Sequence, residues 1–467
     1  MAGVVVVGAG ISGLAAAAGI RRLDPELDVL VLESSPRIGG KLRTETVGGV
    51  QVDVGAESML NRRPEAVTLA ADSGVDLVYP ATTSANIWTR GRLRPMPRSL
   101  MGVPADLKEL GATGILSRSG QARALLDQVL PATRIGSDDV SVGWLVEERF
   151  GKELLDRLVE PLLGGVYAGH AREISARAAI PQVIALLDKD RSLSHGVARS
   201  WAPLGAAGSP QAPVFAGIEG GVGTLPGAVV AAHGLRVETG TTVRRVVRSG
   251  TGWNLVVGAT TDPRVIEADA VVIATPAAAT ARLLADEVPD AALELARIET
   301  ASMAVVTMAF PERDFPAIDG SGFLVPPVDG RTIKAATYSF GKWGWVREHG
   351  SGEGLLVMRA SVGRHREESV LQVPDEELVA AAVDDLADAI GLSLRPVDSH
   401  VQRWGGGLPQ YAVGHLDRVA RVRAAVARQP GLAVAGASYE GIGIPACIRS
   451  GQLAAAQVVA AGTVSRE

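Results

Sequence analysis

The feature that most restricts this chain is a glycine triplet, Gly8, Gly10 and Gly13, set between the β-branched run Val4 to Val7 and an alanine-rich stretch. The pattern predicts a buried strand, a turn and a helix, followed by a second strand at Asp28 to Leu32. Glycines at these positions allow a tight turn, close approach of a pyrophosphate to the backbone, and close helix-on-strand packing. The first amides of the helix and its positive dipole end then face the anion. Glu33, twenty positions beyond Gly13, ends the second strand, where a carboxylate accepts hydrogen bonds from ribose hydroxyls. Such an acid marks a ribose without a 2'-phosphate, and both NAD and FAD satisfy it.

With 467 residues, 47% of them hydrophobic, the chain is long enough for two or three domains. A net charge of -5, with no run of five basic residues, argues against a nucleic-acid partner. Cys447 is the only cysteine, so an intrachain disulfide, a CxxC pair and a cysteine-based metal site are excluded, and a reducing cytoplasm fits. The seven histidines show no ligand-like spacing, and no metal is expected. The apolar stretch Val4 to Ile20 is broken by three glycines, lacks a preceding basic residue and falls short of the roughly 20 residues of a membrane span. No transmembrane segment is expected.

Short strands are predicted at Thr242 to Val247, Trp253 to Val257, Ala270 to Ala274 and Leu432 to Ala435, the last followed by a helix to about Ala461. From Leu100 to Leu187 helical spacing dominates, with Trp144, Leu145, Leu154, Leu155, Leu158 and Leu162 recurring and Gly164 and Gly165 as a stop. A further helix runs from Asp375 to Ile390, with Val379, Val383, Leu386 and Ile390 on one face. Ala206 to Pro213 reads as a loop. Gly217, Gly220, Gly221 and Gly223 follow no strand of suitable length and read as a loop and helix start, so a second dinucleotide unit is not expected.

Four stretches extend the first motif. ESSPRIGGKLR (Glu33 to Arg43) resembles the extended FAD fingerprint of the amine oxidase and glutathione-reductase-like superfamily, with Lys41 where arginine is usual. DVGAES (Asp53 to Ser58) resembles that superfamily's loop beside the flavin ring, and AVVIATP (Ala270 to Pro276) its second signature. In GASYEGIGIPACIRSG (Gly436 to Gly451) a glycine loop enters a helix opened by Pro445, so free amides can face an anion. The resemblance implies non-covalently bound FAD. Its site would include Gly8, Ala9, Gly10, Ile11, Ser12 and Gly13, then Glu33, Ser34 and Lys41, then Gly55, Ala56, Glu57 and Ser58. Val243, Trp404, Ile442, Gly443 and Ile444 would complete it.

Within that superfamily the chain resembles the porphyrinogen oxidases in EPLLGGVYAG (Glu160 to Gly169), GIEGGVGTLP (Gly217 to Pro226), WGGGLPQY (Trp404 to Tyr411) and GIGIPACIRSG. His170 departs from the small polar or acidic residue expected after YAG. The implied fold is α/β: a discontinuous Rossmann-like FAD domain (1–84, 216–298, 426–467), a mixed-sheet substrate domain (85–99, 299–425) and a helical insert (100–215), as in amine oxidases and p-hydroxybenzoate hydroxylase. The bias toward Ala, Gly, Arg and Val suits a high-GC bacterium, for which the resemblance implies a cytoplasmic oxidase of coproporphyrinogen III. It would use molecular oxygen, release hydrogen peroxide, and hand its product to a ferrochelatase. Members with a membrane-bound insert suggest peripheral bilayer contact. No catalytic side chain stands out. Main-chain groups at Tyr167 and Gly169 are implied to meet the macrocycle, and Arg90, Arg92, Arg94 and Arg98 are candidates for its carboxylates, the first three sharing one strand face. Protoporphyrinogen IX oxidation, an amine oxidase with Tyr439 and Trp404 as cage walls, and a redox-inactive binding protein like the Rab GDP-dissociation inhibitors are the competing readings.

Overall fold

Val4, Val5, Val6 and Val7 are all buried, as a central parallel strand requires. In the computed structural model, which describes residues 2–201, 213–250, 252–316, 318–393 and 395–464, they form β1 (Ala2–Val7), followed by α1 (Ile11–Leu23) and β2 (Val29–Leu32). Val4 and Val6 join one hydrophobic cluster with α1, while Val5 and Val7 join a second on the opposite face. The expected strand-turn-helix-strand unit is therefore present, and β1 pairs in parallel with β2.

The sheet around β1 has seven strands. Arg236–Glu238, β2, β1 and Asp262–Ile273 lie side by side in parallel, Gly252–Ala259 and Val243–Ser249 extend it in antiparallel fashion, and Leu432–Val434 also pairs with Asp262–Ile273. Strands from the beginning, middle and end of the chain thus share one sheet. The helix Ile444–Val464 packs along α1. Gly451 makes this approach possible, since a Cβ there would lie 2.1 Å from Ser12 O.

A second seven-stranded sheet runs Asp398–Pro409, Thr300–Pro311, Leu355–Val362, Ile333–Tyr338, Gly322–Leu324, Asn86–Thr89, Arg92–Pro95. All its pairings are antiparallel except that of Gly322–Leu324 with Asn86–Thr89. The helix Asp375–Ile390 covers one face, with Leu378, Ala382 and Leu386 buried and Val379, Val383 and Ile390 packed at the margin. Helices between residues 107 and 201 build most of a separate, mainly aliphatic core that also takes in Phe150, Tyr167 and Tyr411.

Two expectations for that helical region need correction. Trp144 is 46% exposed, because the buried stripe of its helix runs through Val142, Leu145, Val146 and Arg149 and Trp144 falls between these positions. Gly164 and Gly165 do not stop the helix Glu160–Tyr167. It ends at Ala168, whose φ of 49° is left-handed, while a Cβ on Gly165 would already touch Leu324 at 3.4 Å. The loop expected at 206–213 lies, up to residue 212, outside the described residues. Gly217 lies in a short strand, Phe215–Ile218, where a loop is expected from the sequence, while Gly220 to Pro226 forms the expected turn and helix start. Among the described residues no helix is long and apolar enough to cross a membrane, and no cluster of three or more His, Cys, Asp or Glu could hold a metal.

Candidate active site

The turn after β1 is tied down on both sides. Glu33 Oε2 accepts a hydrogen bond from Ala9 N at 2.8 Å and Oε1 accepts one from Ser35 N at 2.8 Å, with Ser34 Oγ 3.3 Å away. Gly39 N donates to Ala9 O at 2.8 Å. A carboxylate has about four lone-pair sites, so these bonds leave Glu33 able to accept from a ribose. Gly13 is required by packing, since a Cβ there would sit 1.9 Å from Gly8 O. At Gly10 a Cβ would meet nothing within 4 Å. The first turn of α1 has no acidic residue and no side-chain cap, so its amides and positive dipole end face this open space. Lys41 is exposed and has no carboxylate partner among the described residues. Glu33 O accepts from Thr241 N, which seats the start of the strand bearing Val243 beside it. The cradle fits a dinucleotide.

The loop Asp53 to Ser58 is held from four directions. Asp53 accepts from Val222 N and Gly223 N, both at 3.0 Å. Trp404 Nε1 donates to Val54 O at 3.1 Å, and Arg359 Nη2 donates to Gly55 O at 2.9 Å. Glu57 receives Lys342 Nζ at 2.5 Å and Arg359 Nη1 at 2.9 Å. Burial alone would raise the Glu57 carboxyl, but these two cations hold it at about 2. Its side chain is committed to that ion triad. Arg359 and Lys342 carry no local sequence signal and were missed.

The C-terminal loop approaches from the other side. Close packing of α1 on Ile444–Val464 sets Gly451 and Cys447 against Ser12. Gly443 is exposed, and only its own neighbour Pro445 comes within 4 Å of a Cβ there. Cys447 is buried, with Sγ 3.8 Å from Gly441 O and 3.7 Å from Ile442 O.

Tyr167 to Gly169 meets this loop through one pair of aromatic residues. The Tyr167 ring lies 5.7 Å from Tyr411, and Tyr411 Oη donates to Ala437 O at 2.5 Å. Tyr167 O accepts from Gln410 Nε2 at 2.8 Å, and Ala168 O accepts from His365 N at 2.7 Å. A side chain at Gly169 would strike Gln410, whose Oε1 is 2.0 Å from the Cβ position. Gln410 and Tyr411 end the WGGGLPQY stretch, the one signal that could have found them. His170 faces Glu160 Oε1 at 3.3 Å and His365 O at 2.9 Å, and its hydrogen bond to Glu160 raises its pKa.

Arg90 does not share a strand face with Arg92 and Arg94 as expected. Arg90 and Gly91, both at positive φ, make the hairpin turn, so Arg90 leaves the strand register. Arg90 pairs with Glu153 and donates to Ile115 O, and Arg94 Nε donates to Thr89 O at 3.2 Å. Arg98 donates its main-chain N–H to Glu109 Oε1 at 3.1 Å. The strand Arg92–Pro95 is at the edge of its sheet opposite Asp398–Pro409, which carries Trp404.

A split nucleotide-binding sheet, a glycine cradle and a pinned loop facing a second, antiparallel sheet define an FAD-dependent oxidoreductase. The chain belongs to the flavin-containing amine oxidoreductase family, whose model matches residues 11–459. It is 37% identical to coproporphyrinogen III oxidase of Mycobacterium tuberculosis (strain ATCC 25618 / H37Rv), covering 98% of this chain and 97% of that protein. It is 34% identical to coproporphyrinogen III oxidase of Bacillus subtilis (strain 168), covering 97% and 96%. A crystal structure of an Exiguobacterium sp. 255-15 protein, assigned as a protoporphyrinogen oxidase, superposes with a TM-score of 0.85 at 31% identity over 100% of this chain and 99% of that one.

Proposed function

We propose that the chain oxidises coproporphyrinogen III to coproporphyrin III, passing six electrons and six protons to three molecules of oxygen and releasing three of hydrogen peroxide. The carrying observation is the similarity to coproporphyrinogen III oxidases over nearly the whole of both chains. Bound FAD supplies the two-electron hydride chemistry, and the protein supplies position and electrostatics. Gly8 to Gly13 and Glu33 hold the dinucleotide, Gly55 to Ser58 and Ile442 to Ile444 orient its ring end, and the Tyr167 to Gly169 turn presents main-chain groups to the substrate. Gln410 and His365 N–H occupy the carbonyls of Tyr167 and Ala168 and so fix that turn. In this reading the hairpin arginines Arg90 and Arg94 serve the insert, leaving Arg92 without a partner among the described residues. The enzyme works in the cytoplasm, with peripheral membrane contact through the insert, and a ferrochelatase takes its product.

An amine cage is disfavoured. Tyr439 is fully buried with its ring under the Arg423 guanidinium, 5.1 Å away, and Trp404 spends its indole N–H on Val54 O.

Purified protein assayed with coproporphyrinogen III and protoporphyrinogen IX in parallel tests the reading. The expected result is yellow protein that releases FAD on heating, with the higher kcat/KM for coproporphyrinogen III and stoichiometric peroxide. A higher value for protoporphyrinogen IX overturns the substrate, and flavin retained on the denatured chain overturns non-covalent binding.

A further inference from the structure

A porphyrinogen bearing carboxylates needs cations in its cavity, and of the hairpin residues Arg90, Arg92 and Arg94 only Arg92 is without a partner among the described residues. A further cation lies toward the middle of the same sheet. In Ile333–Tyr338 the pairing register with Leu355–Val362 shifts between Ile333 and Ala335, which leaves Lys334 as the extra residue of a bulge. Lys334 is 2% exposed. Its ammonium donates to Gly363 O at 3.0 Å and lies 3.8 Å from Met303 Sδ, and among the described residues it has no carboxylate partner. Arg364, 6% exposed, stands next to it, donating to Val325 O at 3.3 Å, with its nearest carboxylate on Glu367 at 3.8 Å, a residue that faces solvent.

A buried cation kept for structure alone looks different in this same protein. Arg149, 1% exposed, has the fully buried Asp127 at 2.7 Å and donates also to the carbonyls of Pro131, Asp127 and Arg191. Lys334 has one carbonyl and a thioether. Burial, with the Arg364 guanidinium nearby, lowers the Lys334 pKa to about 7, so the closed site holds its amine only partly charged, and an entering carboxylate would restore the full charge. Its position supports this. Met303 is half-buried and pairs across the sheet with Trp404, which packs on Gly55. Leu324 and Ala335 are also half-buried, and Gly165 and Val166 above them are exposed. The Met303 thioether, 3.8 Å from the Lys334 amine, covers it from the strand that pairs with Trp404, and an unbranched thioether is an easily displaced cover.

We propose that Lys334, with Arg364 behind it, is a carboxylate-binding subsite that takes one propionate of the substrate once Met303 swings aside. The assignment rests on the porphyrinogen reading given above. Lys334→Met in the FAD-loaded enzyme should raise KM for coproporphyrinogen III about tenfold or more, as for loss of a charge-assisted hydrogen bond. It should lower kcat less, and weaken coproporphyrin III binding in a fluorescence titration by a similar factor. FAD content and Tm should be kept or raised, because a buried amine whose burial disfavours its charged form is replaced by an apolar side chain of similar length. Met303→Ile, which puts a stiff branched cover over an intact ammonium, should raise KM in the same way and serves if Lys334→Met does not fold. Unchanged KM and unchanged coproporphyrin III binding in either folded variant overturn the subsite and leave the proposed function standing. Wild-type protein that neither oxidises coproporphyrinogen III nor binds coproporphyrin III overturns both.

Discussion

The His415 imidazole stacks on the Tyr411 phenol with ring centroids 3.9 Å apart and planes 13° from parallel. Both polar ends reach the same loop: Tyr411 Oη donates to Ala437 O, and His415 Nε2 faces Tyr439 O at 2.9 Å. A carbonyl only accepts, so Nε2 carries the proton, and Nδ1 has no partner among the described residues. Burial lowers the His415 pKa to about 4, against an unfolded value near 6.5.

That depression fixes the sign of a pH effect. Between pH about 6.5 and about 4 the unfolded chain binds a proton at His415 that the folded chain does not, so stability falls as the pH is lowered through this window. The loss from this group reaches about 3 kcal/mol at the acid end. His415→Gln keeps a donor for Tyr439 O and cannot titrate. Its Tm measured from pH 7 to 4 should decline less than that of the wild type, and parallel curves would show that His415 is not the group responsible.

Two glycines of the first turn should respond differently to one added methyl. Gly13→Ala drives a Cβ into Gly8 O and should lower stability by about 3 kcal/mol or more, the upper range for overpacking. Gly10→Ala meets only open space, so the apoprotein should keep its Tm while FAD affinity drops at least about tenfold where the pyrophosphate is crowded. Thermal melts and FAD titration of the apoproteins separate the two effects. Unaltered FAD affinity in Gly10→Ala would remove the cradle from that side of the turn.

Arg90→Ala should cost no more than about 1 kcal/mol, since its pair with Glu153 is partly solvated. KM for coproporphyrinogen III should not move. A large rise in KM with little change in kcat would return the carboxylate role to the hairpin.

What was legible in the sequence was local. Val4 to Val7, the glycine triplet and Glu33 announce their unit because strand, turn and helix follow one another within some thirty residues, and the helix Asp375–Ile390 has the bounds its Pro374 and Gly391 predicted. What escaped depends on distant partners. The partners of the Glu57 carboxylate, Lys342 and Arg359, lie far along the chain and carry no local signal. Arg90, Arg92 and Arg94 alternate as a strand would, but Gly91 turns the chain between the first two. A bulge such as that at Lys334 leaves no trace in periodicity, because it is defined by the strand opposite.

The packing of α1 against Ile444–Val464 has a consequence for the order of events in the cell. The loop Ile442 to Ile444, proposed above to orient the ring end of the cofactor, and the strand Leu432–Val434 that pairs beside Asp262–Ile273 are translated long after β1 and α1. A nascent chain therefore lacks these parts of the nucleotide-binding sheet and cradle throughout most of its synthesis. Tight flavin loading is consequently a late step, and chains stopped short of Ile444 should accumulate colourless.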